Sequence, residues 1–321
     1  MGGIFFGLKL QIIFISMFFT QHHQVRRRRR LRPMIKKLYY YYFLNMLNKT
    51  ENEKTPHVIS VKNWSKEIIP QMHRLLEVPN WAPWLAASTQ SMEGRANVFP
   101  EGQLMMEIDT VPAASLSMNR IYWDGNPQSL KSWDDVAGDP TDYSSTYNPA
   151  GNTLVLMSMN VALEQQGKQL PARLINHAKQ LVADLNMQYL IGSFRPTGYG
   201  VAKAEHNYQL PFWQYCTQMT VSRLDKHGVF GQSGSTIQLP FDPWLRSLTW
   251  AGLKPLKEDT SAMVVSVPLI EFQGYKQNYK PNQWNEIQPN VWECGEVGLW
   301  TIYPENGSAT YTESNLWGVI Y

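Results

Sequence analysis

Thr153–Val161 reads TLVLMSMNV, Asn160–Ile175 reads NVALEQQGKQLPARLI and Tyr189–Phe194 reads YLIGSF. The first run is apolar almost throughout, the pattern of a strand buried on both faces. A polar turn, Ala162–Gln169, follows and contains Gly167. From Leu170 the period changes: Leu170, Leu174, Ala178, Leu181 and Leu185 recur at three- and four-residue spacing, which predicts a helix with one apolar face. Pro171 is tolerated because the first helical turn leaves its N–H groups unpaired in any case. YLIGSF is a second strand, so the order is strand, turn, helix, strand, a βαβ-like unit. Where a strand feeds a helix through a glycine-bearing turn, free amide N–H groups converge and the helix dipole adds positive potential. Such a corner suits a pyrophosphate.

The elements on either side are weaker. Val58–Val61 reads as a short strand, and Ile68, Met72, Leu75 and Leu76 place an amphipathic helix over Ser65–Glu77, with Pro70 near its start. A second helix is predicted for Leu85–Ala96. Phe99-Pro100-Glu101-Gly102 then turns into the strand Gln103–Ile108, with Ala114–Trp123 as its hairpin partner. Asp124–Gly151, rich in Asp, Gly, Pro, Ser and Tyr, has no periodicity and reads as a long inserted loop. Downstream, Ala204–Met219 is expected to be partly helical and broken near Pro211, Asp242–Ala251 a helix, and Ala262–Val267 a strand. Residues 271–321 are aromatic and turn-rich, and are expected to form short strands packed on the domain as a C-terminal extension.

Bulk composition narrows the function. The chain carries 29 Lys and Arg against 26 Asp and Glu, but all ten charged residues before Thr50 are basic. The remainder therefore holds 19 cations against 26 acids, a net charge of −7. That balance argues against a nucleic-acid partner, which needs clustered cations. Two cysteines, and no CxxC or HExxH pattern, predict a reducing compartment and no structural metal. Residues 1–56 combine an apolar run (Gly2–Thr20), five consecutive arginines (Arg26–Arg30) and four tyrosines (Tyr39–Tyr42). They read either as a leader outside the native fold, with Met34 or Met46 as the start, or as a membrane anchor whose arginine side would hold the body in the cytoplasm. Membrane contact is expected only in the second case, and a cytoplasmic location in both.

The stretch Asn160–Ile175 resembles the coenzyme A-binding segment of the GNAT acyltransferases, in which a buried strand, a loop of the form Gln/Arg-x-x-Gly-x-Gly/Ala and a helix follow one another. Gln166 falls on the Gln/Arg position and Gly167 on the residue after it, whereas Gln169 and Pro171 stand at the two small positions. The resemblance runs over Val58–Val267. It implies an α/β fold with a mixed, mostly antiparallel central sheet flanked by helices, over residues 57–270, with 124–151 as an insertion. It also implies acetyl-CoA or another acyl-CoA as co-substrate, a small-molecule amine as acceptor, and direct attack in a ternary complex. Gln166, Gly167, Lys168, Gln169 and Leu170 would then hold the diphosphate, and the backbone of Met159, Asn160 and Val161 the pantetheine and thioester. Tyr208 or Tyr215 would reprotonate the leaving thiolate, and Glu107 would serve as base. Ser158, Arg195, His206 and Cys216 each have a plainer structural role available. Two rival readings stand beside this one: a degenerate fold that binds a ligand without transfer, and an interaction module using Trp284, Trp292, Trp300 and Trp317.

Overall fold

The computed structural model describes residues 58–139, 142–223 and 236–321, so the alternatives for residues 1–56 lie outside the described residues. The fold is mixed α/β. Strands β1 (Ile59–Asn63), β2 (Gln103–Ile108), β3 (Val111–Ile121) and β4 (Thr153–Val161) form consecutive antiparallel neighbours. β5 (Tyr189–Phe194) is parallel to β4. The C-terminal strand β12 (Ser308–Val319) lies antiparallel to β5 and to β8 (Lys254–Pro268). A small meander of β9 (Asn285–Gln288), β10 (Val291–Glu293) and β11 (Leu299–Tyr303) extends the sheet along the first half of β12. β6 (Met219–Arg223) and β7 (Thr236–Pro240) form a separate hairpin.

Helices cover both faces. α1 (Ile69–Met72) carries Pro70 in its first turn and continues as a π-helical turn through His73–Glu77. α2 (Thr89–Val98) is capped by Ser88, whose hydroxyl accepts from Ser91 N at 3.0 Å, and so starts later than the apolar pattern suggested. The insertion contains a helix, α3 (Trp133–Ala137), started by a capping box between Ser132 and Asp135. α4 (Leu170–Asp184) lays Leu170, Leu174, Ile175, Ala178 and Val182 on the sheet beside Leu116, Leu154, Leu156 and Leu190. Each of the leucine, isoleucine and valine side chains contributes about 2 kcal/mol by leaving water. After β5 come α5 (Tyr199–Glu205), α6 (Phe212–Thr217), α7 (Pro243–Trp250) and α8 (Leu269–Asn278).

The C-terminal stretch thus does more than coat the domain, since β12 completes the sheet between β5 and β8. Its aromatic residues converge on Trp84, whose ring centroid lies 5.1–6.0 Å from those of Tyr275, Tyr279, Trp284, Trp300 and Tyr311. Trp300 and Trp317 are fully buried, in separate clusters. Among the described residues no helix is long and apolar enough to cross a membrane.

Candidate active site at the parting of β4 and β5

The parallel ladder of β4 and β5 runs from the pair Thr153–Tyr189 to Leu156–Gly192 and stops. At that level the ladder between β3 and β4 is bulged: Ser117 faces Ser158 and Met118 faces Leu156, leaving Met157 without a partner. A bulge bends its strand and locally disrupts the ladder. Beyond it, β4 continues to Val161 with β3 as its only strand neighbour among the described residues. Ala162 N donates to Ala113 O across that ladder. Antiparallel alternation therefore turns the backbone groups of Met159 and Val161 the other way, toward the parting, where no strand stands opposite. Two carbonyls near this edge are already used: Met157 O accepts from Trp133 Nε1 at 2.9 Å and Val161 O from Asn80 Nδ2 at 3.1 Å.

The far end of β4 leads into the corner before α4. Gln166, Gly167, Lys168 and Gln169 are exposed and Leu170 is buried. Gly167 takes φ +77° with open space around its Cα. Gln169 is the N-cap in a left-handed conformation, φ 59° and ψ 20°, and its side chain makes no capping hydrogen bond. Lys168 Nζ rests on Gln165 Oε1 at 2.7 Å, on the same turn. The corner thus presents an uncapped N-terminus of a fifteen-residue helix to solvent, with a lysine beside it.

One side of the parting is lined by a polar chain reaching from the turn after α1. Trp81 Nε1 donates to Asn160 Oδ1 at 2.7 Å, and Asn160 Nδ2 donates to Glu77 Oε2 at 2.6 Å. Glu77 Oε1 accepts from Ala87 N at 2.8 Å. Burial pushes the Glu77 carboxyl above its ordinary range, against the opposing pull of those hydrogen bonds and of Arg95. The Trp81 ring also receives the Arg195 guanidinium, 5.9 Å from its centroid, so Trp81 links the end of β4 to the end of β5. Arg195 is held by Glu313 (Nε to Oε1, 2.8 Å) and Glu296 (Nη2 to Oε2, 2.6 Å). Burial by itself would raise the Glu296 carboxyl. Arg195, Lys280 and Tyr279 outweigh it and hold that group down at about 2. Ser193, the first β5 residue past the last pair with β4, has a buried hydroxyl with no hydrogen-bond partner among the described residues.

The remaining expected residues are dispersed. Glu107 lies on β2, two strands from β4, where Lys62 Nζ reaches it at 2.5 Å and Ser60 Oγ at 3.3 Å. Tyr215 is buried and donates to Asp242 Oδ2 at 3.0 Å, a carboxylate that also accepts from Gly198 N and caps α7. Burial and Asp242 raise its pKa. Tyr208 sits at φ 60° after α5, its hydroxyl pushed up to about 12 by burial and by Glu293. Cys216 is buried and its thiol is likewise raised by burial. Asn160 and Arg195 thus meet near the parting, whereas Glu107 does not. Glu77, Trp81 and Ser193 join the site without any local signal in the sequence. Among the described residues no cluster of His, Cys, Asp and Glu is arranged to hold a metal ion.

The chain is similar in fold to solved GNAT structures. It is similar to the loading GNATL domain of CurA from Lyngbya majuscula, at 19% identity and a TM-score of 0.48, over 63% of this chain and 88% of that one. It is similar to the GphF GNAT-like decarboxylase solved in complex with isobutyryl-CoA, at 17% identity and a TM-score of 0.47, over 64% and 90%. A third likeness is to yncA, a putative acetyltransferase from Salmonella typhimurium solved with its cofactor acetyl-CoA, at 13% identity and a TM-score of 0.30, over 58% and 95%. These are likenesses of fold. No family model matches the sequence, and no curated protein matches it.

Proposed function

We propose that this chain is an acyl-CoA-dependent N-acyltransferase that moves a short acyl group, such as acetyl, to a small amine. The observation that carries the reading is the parting of β4 from β5 after Leu156 and Gly192, with the backbone of Met159 and Val161 turned toward it. A pantetheine arm lying there would meet those free N–H groups, and one of them would donate to the thioester carbonyl as it gains negative charge. The diphosphate would sit at the corner formed by Gln166, Gly167, Lys168, Gln169 and Leu170, met by amide N–H groups and the helix dipole. Asn160 serves this arrangement through its side chain, which ties the free edge of β4 to Glu77 and Trp81.

In the reaction the amine nitrogen attacks the carbonyl carbon, the carbon–sulfur bond breaks, and its electron pair leaves on sulfur. The amine's proton must pass to a base, and Glu77 is the carboxylate beside the parting. A carboxyl raised by burial accepts a proton more readily than an ordinary one. Glu107, committed to Lys62 on the far side of β2, is not assigned that role. The thiolate would regain its proton from Tyr208, which burial and Glu293 keep neutral at pH 7, or from Tyr215, which is hydrogen-bonded to Asp242.

A second reading, binding without transfer, draws on the Gln169 side chain and on Pro171, which removes one N–H from the corner. Two measurements separate the readings. Calorimetric titration with acetyl-CoA should give saturable binding, and thiol release across a panel of small amines should then follow. Binding without thiol release favours the second reading, and absence of binding removes both.

A further inference from the structure

Three buried side-chain polar atoms lack a hydrogen-bond partner among the described residues: Trp84 Nε1, Trp300 Nε1 and Ser193 Oγ. The two indoles belong to one aromatic cluster, their ring centroids 5.3 Å apart, where ring faces can receive an N–H weakly. Ser193 has no such explanation. A hydroxyl buried without a partner costs about 1–3 kcal/mol, and folded proteins keep one where water, an ion or a ligand completes it.

The position of Ser193 identifies what would complete it. Gly192 is the last β5 residue to pair with β4, and Ser193 is the next. Opposite it, Met157 bulges out of the β3–β4 ladder. Alternation puts the Ser193 side chain on the same face of β5 as Ile191, which packs with Met157 and Trp317. Those neighbours offer carbon and sulfur but no strong acceptor. Along the sheet, β5 pairs Ser193 with Trp317 of β12 on one edge and has no ladder partner in β4 on the other.

We infer that Ser193 is a positioning residue for the acyl thioester, its Oγ–H donating to the carbonyl oxygen of the bound acyl group at the apex of the parting. The inference rests on the acyl-CoA reading. Ser193 forms and breaks no covalent bond. It supplies a second donor to an oxygen that gains negative charge as the amine attacks, beside the backbone N–H groups of β4. The hydroxyl thus distinguishes an acylated from a free coenzyme, which has no carbonyl there.

The test compares wild type with Ser193→Ala and Ser193→Cys, using acetyl-CoA and free CoA as probes. Without ligand, S193A should melt no lower than wild type, because the hydroxyl it loses is unpaired. Its Kd for acetyl-CoA should rise about five- to tenfold while that for CoA stays unchanged, matching the loss of one hydrogen bond. Turnover should fall about a hundredfold, as when one oxyanion donor is removed. S193C, a weaker donor of similar size, should fall between the two. Equal acetyl-CoA and CoA affinities in wild type and S193A, with unchanged turnover, would overturn the assignment and leave the acyltransferase reading standing. If wild type binds neither probe, that reading fails and the assignment falls with it.

Discussion

Trp81 Nε1 donates to Asn160 Oδ1 at 2.7 Å, joining the turn after α1 to the free edge of β4. The bond spans 79 residues, and the same ring carries the Arg195 guanidinium at the end of β5. Trp81→Phe keeps an aromatic ring and deletes the donor. Asn160 is 4% exposed, so its Oδ1 would be left buried and unpaired. The variant should lose about 1–3 kcal/mol of stability, read from urea unfolding with an unchanged m-value. A variant as stable as wild type would show that Asn160 does not depend on Trp81.

Glu77 gives a pH test. Its folded pKa is raised by burial, so the native state keeps the proton to higher pH than the unfolded chain does. Ionisation therefore subtracts stability as pH rises above the ordinary carboxylate value of 4.5. Glu77→Gln retains an acceptor for Asn160 or Ala87 and cannot ionise. Its stability relative to wild type should improve steadily from pH 4.5 upward, whereas its turnover, if Glu77 is the base, should drop about a hundredfold. Parallel stability curves for the two proteins across pH 4–8 would remove the burial argument. Unchanged turnover would remove the role as base.

Glu296 has the opposite sign. Held at about 2 against a reference of 4.5, its ionised form favours the native state. That stabilisation is fully present above about pH 5 and is lost as pH falls toward 2. The shift corresponds to about 3 kcal/mol. Glu296→Gln should lose an amount of that order at pH 7, and its acid unfolding should lack the part of the transition that wild type shows between pH 5 and 2. Thermal melts at half-unit steps of pH check this, and coincident acid limbs would count against the ion pair with Arg195.

The central unit was legible in the sequence because its signals are local. The apolar run of β4, the apolar spacing of α4 and the short β5 all appear within a few residues of their predicted bounds. The bulge at Met157 was not legible, since it is a relation between two strands. Glu77 and Trp81 were hidden for a similar reason: their partner on β4 lies 83 and 79 residues away, and a glutamate ending an amphipathic helix looks solvated until the fold buries it. α8 escaped because its ten residues, LIEFQGYKQN, mix polar and aromatic types without a clean apolar stripe. Asp242 read only as the start of a helix, yet it caps α7 and holds Tyr215 and Gly198.

Gln169 ties the stability of the corner to its proposed ligand. A non-glycine residue in the left-handed region costs about 1–2 kcal/mol, and glycine relieves that strain while adding chain entropy to the unfolded state. Gln169→Gly should therefore be neutral or stabilising by about 0.5–1 kcal/mol. The same change clears a side chain from the place where a diphosphate would approach the N–H groups ahead of α4, so acetyl-CoA and free CoA should both bind several-fold more tightly. Lys168→Glu at the same turn should weaken both, more at low salt than at high, since an exposed charge is screened over about 10 Å at 0.1 M. Equal gains for the two ligands distinguish this end of the coenzyme from the thioester end at Ser193, where only the acylated form should respond. If Q169G gains stability but no affinity, the turn is strained for structural reasons alone and the diphosphate does not bind there.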